Sequence, residues 1–120
     1  MAAALVLVHG ADYRQREAAI AAAISDLSEN QKITVILEGL PDGQDLLTPL
    51  PQLHIHRIAP GCFCCIGNLT LRVTLNRALR TQPDHIFLAL ASHEHLDKLE
   101  QSLQTPPYNA LLSNAVRLSL

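Results

Sequence analysis

Aromatic residues are nearly missing from this chain: among 120 residues there are two Phe, two Tyr and no Trp. Its core must therefore be built from Leu, Ile, Val and Ala. Charge is sparse as well, at 17% of residues with a formal net of −2, which gives no electrostatic case for binding nucleic acid. With 48% hydrophobic residues the composition excludes a disordered chain. No apolar run approaches the ~20 residues that span a bilayer, so no membrane partner is expected. The opening Met1-Ala2-Ala3-Ala4-Leu5-Val6-Leu7-Val8 lacks the basic start of a signal peptide and runs into His9-Gly10 as a strand would. Cysteine is limited to three residues, all within four positions, which excludes a framework of long-range disulfides. Free thiols without an export signal point to the reducing cytoplasm. The length fits one domain, residues 1–120, folding on a single core without staples.

The hydrophobic period changes regularly along the chain. Ala4–Val8 and Ile33–Leu37 are short continuous apolar runs, the mark of strands buried on both faces. Between them, Asp12–Ser28 reads as a helix capped by Asp12, with Ala18, Ala19, Ala22, Ala23 and Leu27 as its packing stripe and Ile20 and Ile24 beside it. Residues 39–51 are rich in Gly and Pro and read as loop, with a helical turn expected at Leu46-Leu47. Leu53–Ile58 alternates, as a strand with one wetter face does. A helix is expected from Leu69 to Arg80 with Asn68 as its cap, then a strand over His85–Leu90, a helix over Ser92–Gln104 and a last strand over Asn114–Leu120. Strands alternating with crossover helices predict a three-layer α/β/α domain around a mostly parallel sheet of about five strands.

The densest chemistry lies in Gly61-Cys62-Phe63-Cys64-Cys65. Three thiols on one short loop present soft sulfur ligands suited to zinc or Cu(I). Read otherwise, they are small apolar residues packed where a loop meets the core, or a thiol pair that cycles between redox states. A second pattern follows the first strand. There Gly10-Ala11-Asp12-Tyr13-Arg14-Gln15-Arg16-Glu17 falls in the register of the phosphate-binding G-x-x-x-x-G-K-[ST] loop. Only Gly10 matches. Gln15 stands for the second glycine, Arg16 for lysine and Glu17 for the hydroxyl residue that holds Mg²⁺. A left-handed backbone at Gln15 costs about 1–2 kcal/mol relative to glycine. A carboxylate at Glu17 repels phosphate by roughly 4 kcal/mol at ~4 Å. The segment reads as a degenerate phosphate loop.

The order of elements, with the block from Gly61 through Cys65 to Leu69, then Ala78-Leu79 and Pro83-Asp84-His85-Ile86, resembles the CobW-like P-loop GTPases, which act as metallochaperones and metal-insertion factors. The likeness spans nearly the whole chain, and its most specific element is the GCxCC block. It implies a P-loop NTPase-like fold and makes Cys62, Cys64 and Cys65 thiolate metal ligands. The departures are equally specific. The Walker A positions fail as described, and the strand after Pro83-Asp84 ends in Ala89-Leu90-Ala91-Ser92 where the family has a glutamate followed by Ser-Gly. The chain stops at Leu120, before the family's guanine-reading motif and C-terminal domain. The combination predicts a non-hydrolytic relative with no catalytic residues and no GTP, in which zinc, or Cu(I) as the alternative, sits on the cysteine loop. Three rival readings are a GTP-binding protein of unusual motif, a thiol-redox protein and a protein-interaction module with buried cysteines.

His54 and His56 lie two apart on one strand, share a face, and are candidates to complete a Cys₃His shell; alternatively they are ordinary solvent-facing residues. His93-Glu94-His95 lacks the H-E-x-x-H spacing and is read as the start of a helix. Finally, an unpaired last strand predicts a homodimer or a metal-handling protein partner across the sheet edge.

Overall fold

Five of the apolar segments form five parallel strands of one sheet in the computed structural model, which describes residues 2–27, 30–39, 46–58, 69–90, 96–106 and 108–120. β1 spans Ala3–His9, β2 Ile33–Glu38, β3 Leu53–Ile58, β4 His85–Ala89 and β5 Leu112–Ser119. Across the sheet they run β3-β2-β4-β1-β5, and every pairing is parallel. The continuous runs take the interior positions, and all six residues of β2 are buried. The alternating segment, β3, lies at an edge, where one face stays wet.

Four helices connect the strands: α1 (Tyr13–Ser25), α2 (Leu69–Arg80), α3 (Leu96–Leu103) and the single turn α4 (Tyr108–Leu111). α1 carries the chain from β1 past β4 to β2. α2 carries it from β3 past β2 to β4, and α3 with α4 from β4 past β1 to β5. The first connection travels across the sheet in the opposite sense to the other two. Connections of one hand that travel in opposite senses land on opposite faces. The core divides accordingly. Val8, Val35, Leu37, Phe87 and Ala89 pack with Tyr13 and Ile20 of α1 on one side. On the other, Leu5, Leu7, Ile36, Ile86 and Leu88 meet Leu71 and Leu75 of α2 and Leu96, Leu99 and Leu103 of α3. Each such Leu or Ile contributes about 1.5–3 kcal/mol by leaving water. The result is the expected α/β/α sandwich. No helix among the described residues is long and apolar enough to cross a membrane.

Several local expectations shift. α1 ends at Ser25 rather than Ser28, and its buried face is Tyr13, Arg16, Glu17 and Ile20, while Ala18 and Ala22 are exposed. Alanine contributes too little area to choose a face; bulk and ion pairing choose it instead. Leu46 and Leu47 form no helical turn, because their N–H groups are drawn to a carboxylate described below. α4 was not expected, and β5 begins two residues early, at Leu112. The expected caps and starts at Asn68 and Ser92 lie outside the described residues.

The topology also fixes where a site can form. β1 and β4 are neighbours whose onward connections leave to opposite faces. In open parallel sheets such a switch point opens a crevice beyond the carboxyl ends of the strands, where ligands bind. Here that switch point lies between the carboxyl ends of β1 and β4, beside the Gly10 turn.

Candidate functional site

The Gly10 turn is short. Gly10 (φ 91°) and Ala11 (φ 53°) turn the chain through the left-handed region, Asp12 caps, and α1 begins at Tyr13. Asp12 accepts a hydrogen bond from the Gln15 N–H at 2.8 Å, and the Gln15 side chain accepts from the Asp12 N–H at 3.1 Å, a reciprocal capping box. Gln15 is therefore helical. The strain foreseen for it in a phosphate-binding loop does not arise, and the loop is only three residues long. Glycine is required at position 10 for a second reason: a Cβ there would meet the Leu120 carbonyl oxygen at 2.5 Å.

Arg16 is buried and folds back over the turn. Its Nη1 donates to the carbonyls of Ala11 at 2.8 Å and Gly10 at 3.3 Å. Burial lowers its pKa, opposed by the nearby charges of Asp12 and Glu38. Among the described residues its Nε has no hydrogen-bond partner. Arg16 thus commits its Nη1 donors to the chain's own carbonyls, at the place where a phosphate-loop lysine would reach a ligand.

Glu17 turns away from the Gly10 turn. Its carboxylate is fully buried and accepts from the N–H groups of Leu46 and Leu47, both at 2.7 Å. Arg57 of β3 closes on it in a fork, Nη1 to Oε1 at 2.9 Å and Nη2 to Oε2 at 3.0 Å, and also donates to the Tyr13 hydroxyl at 2.8 Å. Burial alone would raise the Glu17 pKa; the hydrogen bonds from Arg57, Leu47 and Leu46 outweigh it, and the net shift is downward. The hydrogen bonds to Glu17 raise the Arg57 pKa in turn. Glu17 is therefore a permanent anion with its oxygens already occupied, unsuited to act as a base near neutral pH. One carboxylate ties together α1, the end of the β2–β3 connection and the end of β3. Glu38, fully buried at the end of β2, adds a second acid beside Arg16.

Of the residues that sequence reasoning assigned to this locus, Gly10, Gln15, Arg16 and Glu17 all lie at the start of α1, but their side chains serve the fold. Tyr13, Glu38 and Arg57 were missed. Arg57 had a readable signal: it shares a strand face with Leu53 and Ile55, so its charge interrupts an apolar face and calls for a buried acid. The end of β4 is apolar, with Ala89 and Leu90 both fully buried. A groove of about 390 Å³ lined by Ile24, Leu27, Ile33, Leu53 and Gln52 lies at the opposite rim, where β2 and β3 begin.

Cys62, Cys64 and Cys65 lie outside the described residues, as do His93 and His95. The segment that carries the cysteines joins the carboxyl end of β3 to the start of α2. His54 and His56 are described. They stand opposite Thr34 and Ile36 of β2, on the sheet face that α2 covers. His54 is exposed and His56 half-buried. Burial lowers the His56 pKa, and the charges of His54 and Arg77 lower it further. Among the described residues no three His, Cys, Asp or Glu side chains are grouped to hold a metal ion.

Compared with family models, curated proteins and solved structures, the chain matches none.

Proposed function

We propose that this chain is a non-hydrolytic, CobW-like metal-handling protein that carries a thiophilic ion, zinc first and Cu(I) as the alternative, on Cys62, Cys64 and Cys65. The observation that carries the reading is the complete C-x-C-C block in the single segment between β3 and α2. The donor set fits the ion: thiolates are the preferred soft ligands, and three of them leave one coordination position open. That position suits a carrier, which passes its ion to an acceptor by ligand exchange, better than a closed structural site with four protein ligands. A histidine of this chain or a partner's side chain would complete the shell. Support for the absence of GTP chemistry comes from the Gly10 turn, where Arg16 and Glu17 are committed to internal partners. The reading places the protein in a reducing compartment, the cytoplasm, with a metal-handling protein or a second copy of the chain as its partner.

Zinc competition with a chromophoric chelator under reducing conditions is the test, comparing wild type with Cys64→Ser. Wild type should bind one equivalent, and Cys64→Ser should bind at least about tenfold more weakly. A wild-type protein with no measurable affinity for zinc or Cu(I) would overturn the proposal.

A further inference from the structure

We propose that His54 and His56 form a chelating pair for one divalent cation of the zinc, copper(II) and nickel class, a pair that binds the ion without the thiolates of Cys62, Cys64 and Cys65. Three features of β3 support this. First, residues two apart on a strand point to one side, with α-carbons about 6.6 Å apart, a span that two imidazoles can close onto one ion at about 2.0–2.1 Å from each nitrogen. Second, β3 is an edge strand, and His54 is exposed, so an ion has a path from solvent. Third, the exposed member of the pair lies near the start of the strand. His54 stands four positions before Ile58, about 13 Å along the strand, and His56 two positions before it, and His54 lines a crevice with Lys32, Gln52, Thr81 and Pro83 where β2 and β3 begin. The cysteine segment leaves from the other end.

Neutral imidazole is a borderline ligand, matched to zinc, copper(II) and nickel more than to calcium or magnesium. Two protein ligands leave the remaining positions to water, so the affinity is modest. Arg77 of α2, whose charge acts on His56, opposes the bound cation, and the Lys32 ammonium, held on the Thr81 carbonyl at 3.1 Å, adds to that opposition.

The test uses Zn²⁺ alone, titrated against a chromophoric chelator into protein with Cys62, Cys64 and Cys65 all changed to Ser. Where that variant fails to fold, wild-type protein alkylated with iodoacetamide takes its place. One equivalent should bind with a Kd of about 10 μM. His54→Ala and His56→Ala should each weaken it by at least about tenfold. Arg77→Gln should tighten it by about threefold, as a nearby like charge is removed. His85→Ala, on the opposite face of the sheet, should leave it unchanged. No binding, binding that survives either His54→Ala or His56→Ala, or equal loss in His85→Ala would overturn the inference. Because the cysteines are silent here, this result is independent of the cysteine-borne metal proposed above.

Discussion

Changing Arg57 to Ala removes the cation that faces the buried Glu17 carboxylate, and the size of the effect follows from the geometry. Breaking a buried ion pair by deleting one partner costs about 3–5 kcal/mol, because the other charge is left without compensation. The Glu17 side chain is 1% exposed and that of Arg57 24%, so water reaches one partner and the lower end of that range applies, about 3 kcal/mol. Glu17→Gln should cost about 2 kcal/mol: its carbonyl oxygen still accepts from Leu46 and Leu47, but its amide N–H groups then face the Arg57 donors. The double variant should cost less than the sum, with a coupling of about 2 kcal/mol. Urea unfolding at equilibrium reads all three, and Arg57→Lys serves as the milder change if Arg57→Ala fails to fold. A loss below about 1 kcal/mol in Arg57→Ala would refute the buried-pair reasoning.

The same pair sets an acid response. The Glu17 pKa is lowered on folding, so its stabilisation is fully present above the unfolded carboxyl value, about 4.3, and is lost as pH falls through the folded value. Wild type should lose stability more steeply than Glu17→Gln on acidification below about pH 4.5. Equal slopes would show that folding does not lower the Glu17 pKa. The Arg57 pKa is raised still further from neutrality and contributes nothing in this window.

Gly10→Ala should destabilise by more than about 2 kcal/mol, since it adds left-handed strain and drives a Cβ onto the Leu120 backbone; a thermal melt unchanged from wild type would contradict the close approach. Asp12→Ala should cost about 1 kcal/mol, and Gln15→Ala less, by removing the two halves of the α1 capping box; a larger effect at Gln15 than at Asp12 would reverse the assigned roles. Calorimetric titration with Mg²⁺-GTP or Mg²⁺-ATP should give no saturable heat, even in Gln15→Gly/Glu17→Thr, because the end of β4 is still Ala89-Leu90. A Kd of about 10 μM or tighter in wild type would restore the nucleotide reading.

Period was the most legible signal in the sequence. The alternation of Leu53–Ile58 places β3 to the residue, and the unbroken run Ile33–Leu37 places β2 to within one residue of its end at Glu38. Element ends were less legible where a capping or tertiary contact decides them. α1 stops at Ser25 because the N–H of Asp26 already closes back on Ala23 and Ile24, and nothing in a run of alanines announces that. The alanine stripe misled for a related reason: the face that is buried carries Arg16 and Glu17, residues that composition assigns to solvent. Only Arg57, 40 residues away, makes that face buriable. The capping residue Asp12 was readable, since an acid between a strand end and an amphipathic run has few other uses. Arg57 and Glu38 were not read as a set with Arg16 and Glu17, because long-range charge pairing has no local period.

The charges gathered at the start of α1 also bear on what this end of the sheet can attract. Buried Arg16 and half-buried Arg57 supply two positive charges, and buried Glu17 and Glu38 two negative ones, so the four balance. A phosphate loop works by the opposite arrangement, with donors and a cation left unspent until an anion arrives. Here the Glu17 carboxylate, turned away from the Gly10 turn, holds the Leu46 and Leu47 N–H groups and Arg57, while Arg16 Nη1 donates to the carbonyls of the turn. A nucleotide at this turn would have to draw Arg16 Nη1 off the Ala11 and Gly10 carbonyls, at a cost of about 1 kcal/mol per bond before any contact of its own is made. A thiol segment makes no such demand. It needs only a firm base and an approach from solvent, and the Glu17–Arg57 pair supplies the base by tying the end of β3 to α1. Glu17, which offers no hydroxyl for Mg²⁺, is the residue that fastens α1 to the strand from which the cysteine segment leaves.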